Sequence, residues 1–140
     1  MKKFLRILLF CFPVHAYCEI KSESLCFVSV PDGKIKYELR TYSDDSTDWR
    51  GGFVRYKQSK QPISLVLSNI EREVLDPQAA VQLTRTWSEV LDGKITGEYE
   101  MVSQGGIIVS MEYRKTNGKE YSFRFDPTVD ASEDGGCDWK

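Results

Sequence analysis

The sequence predicts a mainly β protein: a single antiparallel β-sandwich or flattened barrel of about seven or eight strands, with a helix near residues 77–92 as the one non-β alternative. Three observations predict it. Short runs rich in β-branched and aromatic residues recur from Ser24 onward, separated by turns containing glycine. Several of these runs alternate apolar and polar residues with period two. No internal repeat and no low-complexity linker divides the chain, so one core is expected rather than two.

The first sixteen residues stand apart from this pattern. Lys2, Lys3 and Arg6 precede an apolar run at 7–12, and Val14-His15-Ala16 has the small-residue spacing of a cleavage site. Residues 1–16 are therefore expected to be a cleaved signal peptide, leaving 17–140 as a single exported β-rich domain. The apolar run is too short to span a bilayer. Lipid attachment at Cys18 is not expected, because His15-Ala16-Tyr17 has neither the upstream leucine nor the small residue directly before the cysteine. Cys11 fails likewise, since Phe10 precedes it. The mature chain is thus read as soluble, periplasmic or secreted, with no integral membrane segment.

Strands follow in order. Residues 25–30 form an apolar run ending at the Asp32-Gly33 turn. In 34–43, Ile35, Tyr37, Leu39 and Thr41 share one face, expected to be core. Lys34, Lys36, Glu38 and Arg40 share the other, expected to be solvated. After the polar stretch 44–50 come strands at 53–57 and 63–67, the latter after Pro62 at a tolerated strand-start position. In the C-terminal half, 95–102 turns through Gly105-Gly106 into 107–114. Asn117-Gly118, read as a type I′ turn, leads into 120–125, completing a three-strand meander.

Residues 76–93 carry two complete signatures. As a helix they offer Asp76 as N-cap, Pro77 in the first turn, the stripe Ala80, Leu83, Trp87, Val90 and Leu91, and Gly93 after the end. As a strand they alternate through Val81, Leu83, Trp87 and Leu91, contain Thr84 and Thr86, and meet the next strand at Asp92-Gly93. Arg85 and Glu89 interrupt the apolar face of that strand. The hairpin logic on its C-terminal side favours the strand.

Composition narrows the chemistry. Cleavage removes the only histidine, His15, so the mature chain lacks the usual general base and the usual imidazole metal ligand; Ser-His-Asp, Cys-His and His-ligated zinc sites are excluded. Lys+Arg falls from 19 to 16 against 21 Asp+Glu, a mature net charge of −5. That balance disfavours nucleic acid and anionic membranes and fits a cationic protein partner. Three cysteines remain: Cys18, Cys26 and Cys137. A Cys26–Cys137 bond would close a loop of roughly 110 residues and contribute about 4.7 kcal/mol in the chain-entropy account. Cys18 competes as a partner for either.

Candidate sites are few. The polar stretch sets Asp44, Asp45 and Asp48 beside Trp49 and Arg50: acids that would steer a cationic partner and two residue types favoured as binding anchors. The alternative reading has Trp49 as a lid over one end of the core, and Trp139, beside Asp138, offers the same two roles. Glu98, Glu100 and Glu112, on the long central strands, are the candidate carboxylates for glycoside hydrolysis, and the preferred reading puts them on a solvated outer face. Residues 130–136 reproduce the opening of a calcium loop, with oxygen donors at Asp130, Ser132 and Asp134 and then glycine. The twelfth position falls beyond Lys140, so an acidic turn that brings Cys137 to its partner is expected instead. Tyr37, Tyr99, Tyr113, Tyr121 and Trp87 are read as core or core edge rather than a sugar-stacking platform. Small exported lysozyme inhibitors and toxin immunity proteins share this size, charge and β-rich make-up, but none of their signature residues occurs here. The reading is an exported, non-enzymatic protein-binding domain without metal or cofactor, an inhibitor or immunity protein for a cationic envelope-degrading enzyme. A carboxylate-dependent hydrolase of envelope polysaccharide and a calcium- or ligand-binding envelope component are the alternatives.

Overall fold

The computed structural model describes residues 19–132 and 135–139. The expected signal peptide, His15, Cys11, Cys18 and the acids Glu133 and Asp134 lie outside them. Eight strands follow one another as an antiparallel meander: β1 (Ile20–Ser29), β2 (Lys36–Asp44), β3 (Trp49–Tyr56), β4 (Ile63–Glu73), β5 (Gln82–Leu91), β6 (Lys94–Gln104), β7 (Ile107–Lys115) and β8 (Glu120–Phe125). Strand β8 pairs back onto β1, with Phe27 opposite Phe125, and the sheet closes into a barrel. Two short strands, β9 (Ala131–Ser132) and β10 (Gly136–Cys137), form a separate hairpin.

Residues 82–91 are strand, and the helical alternative is not realised. Strand β5 has ladder partners on both sides, with Leu67 opposite Trp87 and Trp87 opposite Tyr99. Asp76 does cap, but only a turn: its carboxylate accepts from Gln78 N and its carbonyl from Ala79 N. Two neighbouring turns differ instructively. Asp92 and Gly93 both have positive φ, 51° and 72°, as a type I′ turn requires. At Asn117-Gly118 only Gly118 is left-handed, and Lys115 N bonds Lys119 O, so the loop is one residue longer than the expected I′ turn. A type I turn closed by a left-handed glycine fits the same strands.

Antiparallel succession divides the connections between two ends. The lower end holds the β1–β2, β3–β4, β5–β6 and β7–β8 links; the upper end holds the β2–β3, β4–β5 and β6–β7 links and the start of β1. An eight-stranded barrel has an interior just wide enough for side chains to fill. Phe27, Tyr37, Leu39, Val54, Leu65, Trp87, Tyr99, Met101, Met111, Tyr113 and Phe123 fill this one. Tyr37 packs edge-on against Phe123 at 4.8 Å, and Tyr99 stacks on Tyr113 at 4.4 Å. The expected core role of these tyrosines and of Trp87 is what the structure shows, with Tyr121 half-buried at the lower rim.

The outward face of β2 differs from expectation. Glu38 and Arg40, expected in solvent, are buried at 2% and 8% exposure, because the β9–β10 hairpin lies over β1 and β2. Cys26 on β1 is bonded to Cys137 on β10, as the sequence predicts. That bond is compatible with an oxidising, exported location. Among the described residues no helix is long and apolar enough to cross a membrane.

Gly97 is placed by a close approach. The Tyr113 ring lies where its side chain would be, with Cε2 2.5 Å and Oη 2.7 Å from an added Cβ. Gly97→Ala is expected to displace that ring and cost about 1–3 kcal/mol, measured as a lower urea midpoint with unchanged slope.

Candidate functional site

The two ends of the barrel interior are chemically different. At the lower end Glu89, 5% exposed, accepts hydrogen bonds from Tyr113 Oη (2.7 Å), Thr96 Oγ1 (2.7 Å) and Tyr99 Oη (3.2 Å). The hydroxyls of Tyr56 and Tyr99 are 2.6 Å apart. Burial pushes the Tyr99 and Tyr113 phenols well above their ordinary range, so both remain protonated donors to the carboxylate. Below them opens a cavity of about 290 Å³, lined by Ile35, Tyr56, Tyr113, Tyr121, Phe123 and Lys115. Lys115 and Lys119 lie over the Tyr121 ring at 5.7 and 5.2 Å.

The upper end gathers the residues singled out from the sequence. Asp44 is 8% exposed, and its carboxylate holds the β2–β3 turn: Ser46 N and Oγ donate to Oδ1 at 2.8 and 2.6 Å, and Thr47 Oγ1 to Oδ2 at 2.9 Å. It therefore builds the loop. Asp45 and Asp48 are the acids presented to solvent, with side chains 58% and 93% exposed. Lys21 Nζ lies 2.5 Å from Asp45, and this hydrogen bond, then the lysine's charge, holds the Asp45 carboxyl below the usual aspartate range. Arg50 Nη2 is 3.9 Å from Asp45 and 3.7 Å from Asp48. Trp49 is 52% exposed, its ring folded back over Gly51. Three of the five predicted residues, Asp45, Asp48 and Trp49, thus form one exposed rim, with Arg50 half-buried beside them and Asp44 supporting the turn.

Register places further residues beneath that rim. Ser43 pairs with Arg50, and both sit on the inward-facing rows of β2 and β3, continuing Leu39 and Val54. On β5, Arg85 and Trp87 face inward above Glu89; Arg85 Nη1 donates to Ser103 Oγ at 3.2 Å. Glu23, Thr41, Tyr42, Ser43, Arg50, Arg85, Trp87 and Met101 together line an upper cavity of about 120 Å³. Arg85 and Glu89 were visible in the sequence only as breaks in an apolar alternation. Such a break on a barrel strand marks where the dry middle gives way to an end.

The other candidates occupy the outer surface. Glu98, Glu100 and Glu112 do come together, Glu100 opposite Glu112 and Glu98 opposite Arg114. They are exposed, as the preferred reading expected, around a crevice of about 20 Å³ shared with Arg114 and Glu120. That volume suits one water rather than a sugar ring. The calcium-like segment is the β9–β10 hairpin as far as it is described: Asp130 O accepts from Asp138 N, and Ser132 Oγ accepts from Gly135 N. Among the described residues no group of three acidic, cysteine or histidine side chains is placed to hold a metal ion. Trp139 is half-buried, with Lys36 Nζ 5.7 Å from its ring.

No protein-family model, no curated protein sequence and no solved structure matches this chain.

Proposed function

We propose that the chain is an exported, non-enzymatic binding protein that engages a cationic protein through the upper rim of the barrel, as an inhibitor or immunity factor for an envelope-degrading enzyme. The observation that carries this reading is the rim itself: an exposed Trp49 at the end of a turn that presents the acids Asp45 and Asp48 to solvent and is braced by the buried Asp44. An aromatic anchor with an acidic surround is the arrangement that steers a basic partner and then holds it. The mature net charge of −5 supports the sign of the partner. The disulfide supports the compartment in which such enzymes act.

The test uses the oxidised protein against a panel of cationic lysozymes and muramidases, reading both peptidoglycan clearance and surface-plasmon kinetics. Trp49→Ala is expected to raise Kd about tenfold or more, mainly through a faster off-rate. Asp45→Asn with Asp48→Asn is expected to slow association and flatten its salt dependence. Association that keeps its rate and salt slope in that double variant removes the steering. Absence of binding and inhibition across the panel overturns the reading.

A further inference from the structure

The links at the two ends of the barrel differ in charge. The three upper links hold Asp45, Asp48 and Asp76 and no lysine or arginine, whereas the four lower links hold Lys34, Lys57, Lys60 and Lys119 against Asp32 and Asp92. In a chain with 21 acids and 19 lysines and arginines, the lower mouth is thus a basic patch. Lys115, the last residue of β7, adds its side chain to the wall of the lower cavity. We propose that this cavity binds a small aromatic anion, its ring against Tyr56, Tyr113, Tyr121 and Phe123 and its charged head among the lysines of the mouth.

The wall selects the body. A cavity of about 290 Å³ is close in size to the smaller sites that hold organic ligands, and the mouth of a β-barrel is a common place for them. A second cavity of about 240 Å³ shares the Ile35 and Tyr56 walls and adds Lys34 and Lys57. The lining hydroxyls are already committed inward. Tyr113 and Tyr99 donate to Glu89, so the Tyr99 oxygen, 2.6 Å from Tyr56 Oη, accepts from Tyr56. Neither Tyr56 nor Tyr113 has a proton left for a ligand, and what they offer is ring surface, which another aromatic ring fills by stacked or edge-on contact.

Charge selects the head and orients it. Glu89 lies one hydrogen bond behind the Tyr113 wall, and among the described residues no lysine or arginine pairs with it. An anionic head is therefore repelled from the inner end and drawn to the mouth. There Lys115 and Lys119 lie 5.7 and 5.2 Å from the Tyr121 ring. Asp32 offsets Lys34 at 3.8 Å, but among the described residues Lys57, Lys115 and Lys119 form no ion pair. Ammonium groups are compact point charges rather than planar forks, so they fix the sign of the head and not its shape. They also exclude a cation, which the tyrosine rings alone would attract. The inference does not depend on the partner proposed for the rim, because the two sites lie at opposite ends of the barrel.

The experiment titrates the oxidised protein with 3-phenylpropionate at constant ionic strength and follows the ring resonances of Tyr121 and Phe123. The Trp49 indole, at the far end, serves as the reference. Parallel titrations use 3-phenylpropanamide, 3-phenylpropylammonium and hexanoate. A saturable shift at Tyr121 and Phe123 is expected with the phenyl acid. The amide and hexanoate should bind about tenfold more weakly or worse, and the ammonium should give no saturable shift. Lys115→Gln with Lys119→Gln, at two exposed positions, is expected to raise Kd about tenfold. Ile35→Trp, which sets an indole in the mouth from an exposed position, is expected to abolish the shift. If the paired lysine variant fails to fold, Ile35→Trp alone must show the loss. No saturable shift with the phenyl acid, equal affinity for the amide or the ammonium, or undiminished affinity in a folded variant overturns the site. Hexanoate binding as tightly as the phenyl acid overturns its aromatic class.

Discussion

Removing the Cys26–Cys137 bond, by Cys26→Ala with Cys137→Ala, is expected to lower the unfolding free energy by about 4–5 kcal/mol. The bond joins residues 111 apart in sequence, so almost the whole described chain lies in one covalent loop. Its main action is on the unfolded chain, which loses the freedom of a very long loop, and the stabilisation grows with that length. The folded barrel does not need the bond to close. Phe27, Val28 and Ser29 on β1 pair with Phe125, Arg124 and Phe123 on β8, and Asp126 N donates to Cys26 O at 2.8 Å. The variant should therefore keep its far-ultraviolet circular dichroism while its urea midpoint falls and its slope rises, because its unfolded state exposes more surface. A domain of this size has roughly 5–15 kcal/mol in hand, so the loss takes it close to marginal stability. A decrease below about 1 kcal/mol would show that native strain or a compact unfolded state cancels the loop term.

That bond was legible because it needs only an exported chain and two cysteines near the ends of the domain. The strands were legible where alternation met a buried face, and less so at their ends. Strand β1 begins at Ile20, five residues before its apolar run, because Lys21, Ser22, Glu23 and Ser24 are held by ladder partners on β2 rather than by burial. Strand β4 runs on to Glu73 in the same way, through residues exposed on the long β4–β5 arm. The rim was legible because Asp44, Asp45, Asp48, Trp49 and Arg50 fall within one short polar stretch, 44–50. The cavity beneath it was not. Arg85 and Trp87 share a cavity with Arg50 only through the curvature and register of the barrel, and a single strand's alternation carries neither. The burial of Glu38 was also hidden, since the β9–β10 strands that cover it are two residues long and carry no periodic signal.

Glu38 is where that hidden cover has its largest consequence. Its carboxylate is held by Arg40 Nε and Nη2, both at 2.8 Å, and by Arg55 Nη2 at 2.6 Å. The tail completes the cluster: Ser132 O accepts from Arg40 and Gly135 O from Arg55, and a Cβ at left-handed Gly136 would meet the carboxylate itself. Glu38→Ala leaves the 10% exposed Arg40 side chain charged without its counter-ion and is expected to cost about 3–5 kcal/mol in urea unfolding. The cost should depend on the disulfide. With Cys26 and Cys137 replaced, the tail can lift, water reaches the two arginines, and the uncompensated charge is solvated. In a double-mutant cycle the combined loss should therefore fall short of the two separate losses by about 1–2 kcal/mol. Strict additivity would mean that the Arg40 and Arg55 contacts keep the hairpin docked without the covalent bond, and that the burial of Glu38 holds its own cover in place.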